Sequence, residues 1–442
     1  MADKTSKRVL ILGGGFAGLE AAQTCEKIFS EQDFSELYTV EITLVSKDNY
    51  LVFTSMLAEV VSSSIEAKHV VIPLRECLKT TIFKELEVQS LDLKNKVVGC
   101  YHFHTCETFD LEYDYLILAM GSITGYHGIA GAEENSFPLK NLADAMVLRS
   151  HIIDMFERAD LEQDPDVRKR LLTFAVVGGG YTGIEVAAEL NEFVSFSKRF
   201  YKHVKADEVK VVVVDPGDRI MHEMSEGLAE YGLKLLKKRG MEFRLQTRVE
   251  GVTPDTVEIQ DGGKIETHTA IWAAGTAPQP VIAALPIADK HGKIEVNEYM
   301  EVAGYPGVWA LGDCALIPDP HSGKPYPPTA QHAIREGARA AHNVAAAIKE
   351  KDDEKRPFVF QAQGMLAPLG HRSAVADIKG IKFSGFFAWL MWRAIYLGKL
   401  PGWDRKIRVA IDWFLDMFLP KDIIQLKFLI KGRQSPPKDE AS

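Results

Sequence analysis

The sequence predicts an α/β protein of two doubly wound parallel-sheet domains followed by an amphipathic helical segment, and three observations predict it. The stretch VLILGGGFAGLEAA at 9–22 is matched in kind by FAVVGGGYTGIEVAAEL at 174–190. Each is an apolar run, a G-G-G-x-x-G turn and a helical pattern rich in small residues. Three further apolar runs, YLILAMGS (115–122), HTAIWAAGTAPQ (268–279) and GVWALGDCA (307–315), each close on a glycine. Strands that end in glycine turns form the ligand edge of a parallel α/β sheet. Finally, from Phe383 to Phe428 aromatic and aliphatic residues recur at helical spacing among cations, with Pro401-Gly402 and Pro420 cutting the run into short helices.

Composition bounds what such a chain does. At 442 residues, with 46% hydrophobic and 26% charged residues, it is long enough for several cored domains and too apolar for wholesale disorder. A net charge of -9 leaves no footprint for a nucleic-acid polyanion. The five cysteines (Cys25, Cys77, Cys100, Cys106, Cys314) include no C-x-x-C. They suggest neither a disulfide framework nor a zinc site, and a reducing compartment is expected. The pair His102 and His104 reads as a strand face, so no metal is expected. MADKTSKRVLILGGG passes directly into a strand, without the apolar run of a secretory signal. The most apolar candidate for a span, Phe386 to Trp392, is stopped by Arg393. A transmembrane helix is therefore not expected.

Each glycine of the two turns has a separate task. Gly13 and Gly178 allow the tight turn, Gly15 and Gly180 let backbone approach a pyrophosphate, and Gly18 and Gly183 let helix pack on strand. One such fingerprint is weak evidence, but two, each between a strand run and a helix, mark two Rossmann-like dinucleotide sites. In the second, the strand VKVVVVD ends in Asp215, a carboxylate suited to adenine-ribose hydroxyls and repulsive to a 2′-phosphate, which favours NADH. Arg219, four residues on, is the alternative that would receive that phosphate. In the first, the strand VEITLVS ends in Ser46 where an acid is usual, leaving the ribose to the Ser46 hydroxyl, to Lys47 or, less directly, to Asp48.

The ordered set GGGFAG, LAMGS, GGGYTGIE, WAAGT and ALGDCA resembles the flavoprotein reductases in which an inserted NAD(P)H domain interrupts an FAD domain. The strings DNYLVFTSMLAEV, GIAGAEENSFPLKNLADA, PPTAQHAIREG and KFSGFFAWLMWR are similar to those of the type II NADH:quinone oxidoreductases, single-subunit respiratory enzymes that do not pump protons. The resemblance runs from about Arg8 to about Leu426. It implies an FAD domain over 1–138 and 269–370, an NADH domain over 139–268 and a membrane-associated segment over 371–430; GRQSPPKDEAS makes 431–442 a disordered tail. FAD would lie on Gly13, Gly15, Phe16, Ala17, Gly18, Ser46, Lys47, Gly121, Asp313, Ala330 and Gln331. NADH would lie on Gly178, Gly180, Tyr181, Gly183, Glu185, Asp215 and Gly275.

The resemblance places Glu185 beside the nicotinamide and flavin; the plainer reading is a carboxylate complementing the helix dipole. A helix expected to begin near Thr329 would aim its positive end at the flavin pyrimidine. Gln331 and Arg335 lie one turn apart on it, at positions where relatives carry two glutamines for the quinone carbonyl; Arg335 is either a quinone contact or an exposed cation paired with an acid. Lys382 matches a lysine of the family near the flavin and quinone entrance, though lysines are more often simply solvated. Cys314 reads as a buried small thiol. The sulfide:quinone oxidoreductases, an alternative with a different donor, need cysteines flanking the flavin, whereas four of these five fall in the N-terminal quarter.

Between His371 and Ser442 there are 13 Lys and Arg against 7 Asp and Glu, and four of the six tryptophans. A helix with Trp, Phe and Leu on one face and Lys and Arg on the other lies in the plane of a membrane. A homodimer interface or packing on the FAD domain would use the same stripe. Attachment from the cytoplasmic side, with membrane quinone as partner, is the expectation.

Overall fold

The computed structural model describes residues 5–205, 207–362 and 364–427, so the expected tail at 431–442 lies outside the described residues. The chain forms two compact units. The first takes in the chain up to Val52, Ile72–Ile123 and Thr276–Ala362; the second takes in Phe53–Val71, Thr124–Gly275 and the chain after Ala362.

In the first unit five parallel strands stand in the order Val308–Ala310, Tyr115–Leu118, Thr5–Leu12, Tyr38–Ser46, Ile82–Glu85. The central strand is exposed where it starts and fully buried over its last four residues, Val9 to Leu12, because only that half is covered on both faces. The helix Phe16–Phe29 follows it and crosses the helix Ala330–Ile348 closely. Small residues make the approach possible: a Cβ on Gly337 would sit 2.2 Å from the Ala17 carbonyl oxygen, and Ala21, Ala22, Ala340 and Ala341 are wholly buried. An antiparallel meander, Glu87–Asp92, Val97–His102 and Glu107–Glu112, completes the unit. His102 closes its middle strand and His104 falls in the following turn, so H-x-H spans a hairpin end and is not a strand face.

In the second unit a parallel sheet runs in the order Ser136–Pro138, Thr269–Trp272, Thr173–Val177, Lys210–Val214, Glu242–Arg244. Thr173–Val177 is buried throughout, which is why its sequence is apolar without alternation. The helix Leu142–Leu161 is started by an Asn141–Asp144 capping box. After residue 363 come three antiparallel strands, Gly364–Pro368, Ala374–Ile378 and Ile381–Gly385, then the helices Phe386–Lys399 and Trp403–Asp416. Pro401-Gly402 makes the break between the helices, with Gly402 at φ 82°. These helices bury Ala388, Trp389, Trp392, Val409 and Trp413. Their other faces leave Phe386, Phe387, Trp403, Ile407, Ile411 and Phe414 exposed. No described helix is long and apolar enough to cross a membrane.

Candidate functional site

The two glycine turns are built alike at their first, third and sixth positions. Gly13 and Gly178 adopt φ of 109° and 110°, open only to glycine. A Cβ on Gly18 or Gly183 would lie 1.9 Å from the carbonyl oxygen of Gly13 or Gly178, so each helix start is pressed against its own turn. Gly15 and Gly180, by contrast, have ordinary extended backbone, cap the helices that start at Phe16 and Tyr181, and face open space, with nothing within 4 Å of an added Cβ. That is the cradle a pyrophosphate fits: bare backbone at a helix N-terminus with room for the ligand alone.

Around the first turn, Gly121 takes φ 63° beside open space, and Ser122 Oγ donates to Asp313 Oδ2 at 2.6 Å. The helix start expected near Thr329 is there, with Thr329 as N-cap and Ala330 and Gln331 as the first helical residues. A residue the sequence reading passed over lies beneath: Glu336, buried, accepts the Gly312 N–H on Oε2 at 2.7 Å. Burial, with the neighbouring Asp313 adding to it, pushes its carboxyl up to about 7. The native protein thus holds a proton that the unfolded chain has lost between about pH 4.5 and 7. The sign is that this stabilisation is complete below the unfolded value and is lost as pH rises through about 7. Glu336→Gln keeps an acceptor for Gly312 and cannot ionise. Thermal melts across this range are expected to give it a flatter pH dependence than the parent, the gap at alkaline pH approaching ~3 kcal/mol; parallel curves would remove Glu336 from the pH response.

Around the second turn, Asp215 ends its strand as expected. Its Oδ2 accepts the Gly179 N–H at 2.6 Å and its Oδ1 accepts the Gly217 N–H at 2.7 Å, with His222 Nε2 at 3.1 Å. Oδ2, with a single partner, retains acceptor capacity for a ribose hydroxyl. Arg219 bends back to the His222 carbonyl oxygen at 2.8 Å. Gly275, at φ 105°, lies against the His127 ring. Tyr181 opens its helix and donates its hydroxyl to Met365 Sδ at 3.2 Å.

Glu185 is the fifth residue of the helix Tyr181–Ser197, one turn in from the end and outside the first turn, which holds no acid. Burial first, and Glu189 second, raise its carboxyl to about 8. It is therefore largely protonated at neutral pH, a proton donor more than a partner of the helix dipole.

The residues expected on the quinone side are more scattered in character. Arg335 Nη1 donates to the Gln331 carbonyl oxygen at 2.7 Å, and its guanidinium stacks 4.2 Å from the centre of the Phe360 ring. Among the described residues its partners are a backbone carbonyl and a ring, with no carboxylate of the kind the plainer reading expects. Lys382 is exposed on the outer strand of the three-stranded sheet, opposite Asp377 in register. Lys47 is 2.9 Å from Glu87 in a surface ion pair, which occupies the ammonium proposed for the ribose. Cys314 is a buried free thiol donating to backbone carbonyls, raised to about 11 by burial.

The second unit also carries a buried ionic cluster. Glu185, Glu189 and Glu192 follow one face of their helix at i, i+4 and i+7, a spacing legible in the sequence whose meaning was not. Ser62 Oγ donates to Glu189 Oε2 at 2.6 Å and lies 2.9 Å from Ser64 Oγ. Lys421 Nζ donates to Ser64 Oγ, and stands 3.3 Å from Asp416 and 3.9 Å from Glu192 with its side chain 7% exposed. Trp413 Nε1 donates to Glu59 Oε1 at 3.0 Å, and Arg393 is sandwiched between the rings of Trp389 and Trp413. Burial lifts Glu59 well above the carboxylate range, with Glu189 adding to it, and lifts Glu189 to about 7. Burial acts the same way on Glu192, yet hydrogen bonds from His371 and the charge of Lys421 hold it down at about 2.

A family model described as pyridine nucleotide-disulphide oxidoreductase matches residues 7–337, and one described as NDH2 C-terminal domain matches 362–422. The chain is 30% identical to a probable NADH dehydrogenase of Dictyostelium discoideum, covering 95% of this chain and 91% of that one. It is also 30% identical to a type II NADH:quinone oxidoreductase of Mycobacterium tuberculosis, covering 92% and 87%. Among solved structures, an NDH2 of Plasmodium falciparum in complex with NADH superposes with a TM-score of 0.87 at 21% identity, over 95% of this chain and 99% of that chain. A sulfide:quinone oxidoreductase of Aquifex aeolicus shares the fold with a TM-score of 0.70 at 18% identity, over 94% and 96%.

Proposed function

Since the chain belongs to the family of type II NADH:quinone oxidoreductases, we propose that it oxidises NADH through bound FAD and delivers two electrons to a membrane quinone without pumping protons. The observation that carries this reading is the duplicated glycine turn, each with an open cradle at Gly15 or Gly180. FAD, when bound, supplies the hydride-accepting and electron-passing chemistry. The chain's own residues hold and orient. Gly13, Gly15 and Gly18 present backbone to the FAD pyrophosphate, with Phe16 and Ala17 opening the helix behind them, and Asp313 and Gly121 at the neighbouring strand ends. Gly178, Gly180 and Gly183 do the same for NADH, whose ribose goes to Asp215 and whose site Tyr181 and Gly275 border. Glu185 holds a proton at its carboxyl on the NADH side. Gln331, Arg335 and Lys382 are the residues assigned to the quinone, with Arg335 offering a guanidinium where relatives offer an amide.

The test is anaerobic. NADH is expected to bleach the flavin absorbance promptly and added quinone to restore it; a flavin left oxidised by NADH ends the donor assignment, and one that quinone leaves reduced ends the acceptor assignment. A sulfide-oxidising reading finds no support in Cys314, whose buried thiol stays protonated at neutral pH.

The apolar faces of the two C-terminal helices support peripheral attachment, on the cytoplasmic leaflet, over a homodimer contact. Phe386, Phe387, Trp403 and Phe414 are exposed, as is Arg408, and the Lys406 ammonium lies over the Trp403 ring, the mixture an anionic bilayer surface attracts. Phe387→Glu/Phe414→Glu removes ~3 kcal/mol or more of apolar burial in lipid. It is expected to lower binding to anionic liposomes by roughly 100-fold while the protein stays folded. Unchanged co-sedimentation, or dissociation of a dimer in place of release from lipid, would transfer this face to another role.

A further inference from the structure

The two dinucleotide turns differ at one place. In the second, an added Cβ on Gly179 would lie 3.1 Å from Asp215 Cγ; in the first, a Cβ on Gly14 would lie 2.8 Å from Ser46 Oγ. Ser46 therefore occupies the ribose-acid position itself, with a short hydroxyl in place of a carboxylate. Lys47 is spent on Glu87 at the surface. The ribose of FAD still brings two vicinal hydroxyls that need an acceptor.

The neighbouring strand offers one. Ile82–Glu85 pairs in parallel with Tyr38–Ser46, and the last registered pair is Ser46 with Glu85. Register partners in a parallel ladder leave the sheet on the same face, ~4.8 Å apart. Ser46 faces the glycine turn, so Glu85 does too, one strand farther out at the same C-terminal edge. Glu85 is half-buried, and its carboxylate makes no hydrogen bond or ion pair among the described residues. Its long side chain spans the strand spacing that a serine cannot.

We infer that Glu85 replaces the missing strand-end acid and accepts the adenosine ribose hydroxyls of FAD, an assignment that rests on FAD being the cofactor of the first turn. Asp48 shares this corner, where burial, assisted by Glu85 and Glu87, raises its carboxyl, and it is tested beside Glu85.

The experiment is FAD release from the holoenzyme on dilution, followed by the rise in flavin fluorescence, for Glu85→Gln, Asp48→Asn and the double variant Ser46→Asp/Glu85→Gln. Hydrogen bonds to a charged acceptor are worth enough for Glu85→Gln to raise the dissociation constant for FAD about 10- to 100-fold. The Kd for NADH and the melting temperature at saturating FAD are expected to stay unchanged, Asp48→Asn to stay near the parent, and the double variant to recover most of the loss. Equal FAD retention by Glu85→Gln and the parent overturns the assignment, as does a lowered melting temperature at saturating FAD, since that is the mark of a structural role. Loss of FAD from Asp48→Asn instead gives the ribose to Asp48, and failure of the double variant to recover takes the acid off the ribose altogether.

Discussion

Gly15→Val is expected to give a folded, colourless protein. Gly15 has φ -74° and ψ -171°, backbone that valine adopts readily, and no atom stands within 4 Å of the new Cβ. The apoprotein therefore has no reason to be destabilised. The added methyls instead occupy the space through which backbone N–H groups approach the pyrophosphate. FAD affinity is expected to fall by about 1,000-fold or more, as several hydrogen bonds to a charged ligand are lost together. Gly180→Val, with φ -70°, repeats the experiment in the second turn: FAD and colour remain, and NADH no longer bleaches the flavin. Gly18→Ala is the contrast. Its methyl would stand 1.9 Å from the Gly13 carbonyl oxygen, so the turn itself must move. Circular dichroism, melting temperature and bound flavin distinguish the three. A yellow Gly15→Val protein would mean that the open space at Gly15 is not the phosphate cradle.

The second large effect is on stability. Lys421→Met leaves Asp416 and Glu192 without the cation that stands 3.3 and 3.9 Å away, in a place where the lysine side chain is only 7% exposed. Removing one partner of a buried ion pair costs about 3 kcal/mol, because the remaining charge is neither solvated nor paired. Melting temperature is expected to drop, and the chain after Trp413 to become the first site of limited proteolysis. Glu189 gives the effect a pH signature. Its carboxyl sits at about 7 with Lys421 lowering it, and loss of the cation raises it further, so acidification removes a negative charge from the cluster and the deficit of the variant shrinks as pH falls. A loss independent of pH would mean that Lys421 contributes packing by its stem alone.

Both effects start from residues that differ in how plainly the sequence announces them. The glycine turns are legible because their requirement is steric and local: Gly13, Gly15 and Gly18 succeed one another within a single turn, and Asp215 is the first polar residue after an apolar strand. The start of the helix at Ala330 is legible for the same reason, from Pro-Pro-Thr. The ionic cluster is not. Glu59, Glu189, Glu192, Arg393 and Lys421 are charges in a chain whose charges are mostly solvated, and only the fold, by bringing Ser62, Trp413 and Asp416 to them, separates them from a surface pattern. Glu336 is hidden in the same way by Arg335, its more conspicuous neighbour. The ion pair of Lys47 with Glu87 could not be read from the sequence, because the two are 40 positions apart.

The crossing of Phe16–Phe29 with Ala330–Ile348 sets the order in which the protein can be made. The first helix emerges from the ribosome well before its partner, for the surface that buries Ala17, Ala21 and Ala22 is translated more than three hundred residues later. The outermost strand of the same sheet, Val308–Ala310, comes nearly as late. Through that interval the N-terminal βα unit has an uncovered apolar side, while the inserted parallel sheet, complete by Trp272, already has all five of its strands. The nascent chain thus forms the parallel sheet of the second unit before it can close that of the first. In that interval holdase chaperones have an apolar segment to shield, and flavin loading has to wait until the helix Ala330–Ile348 has been translated.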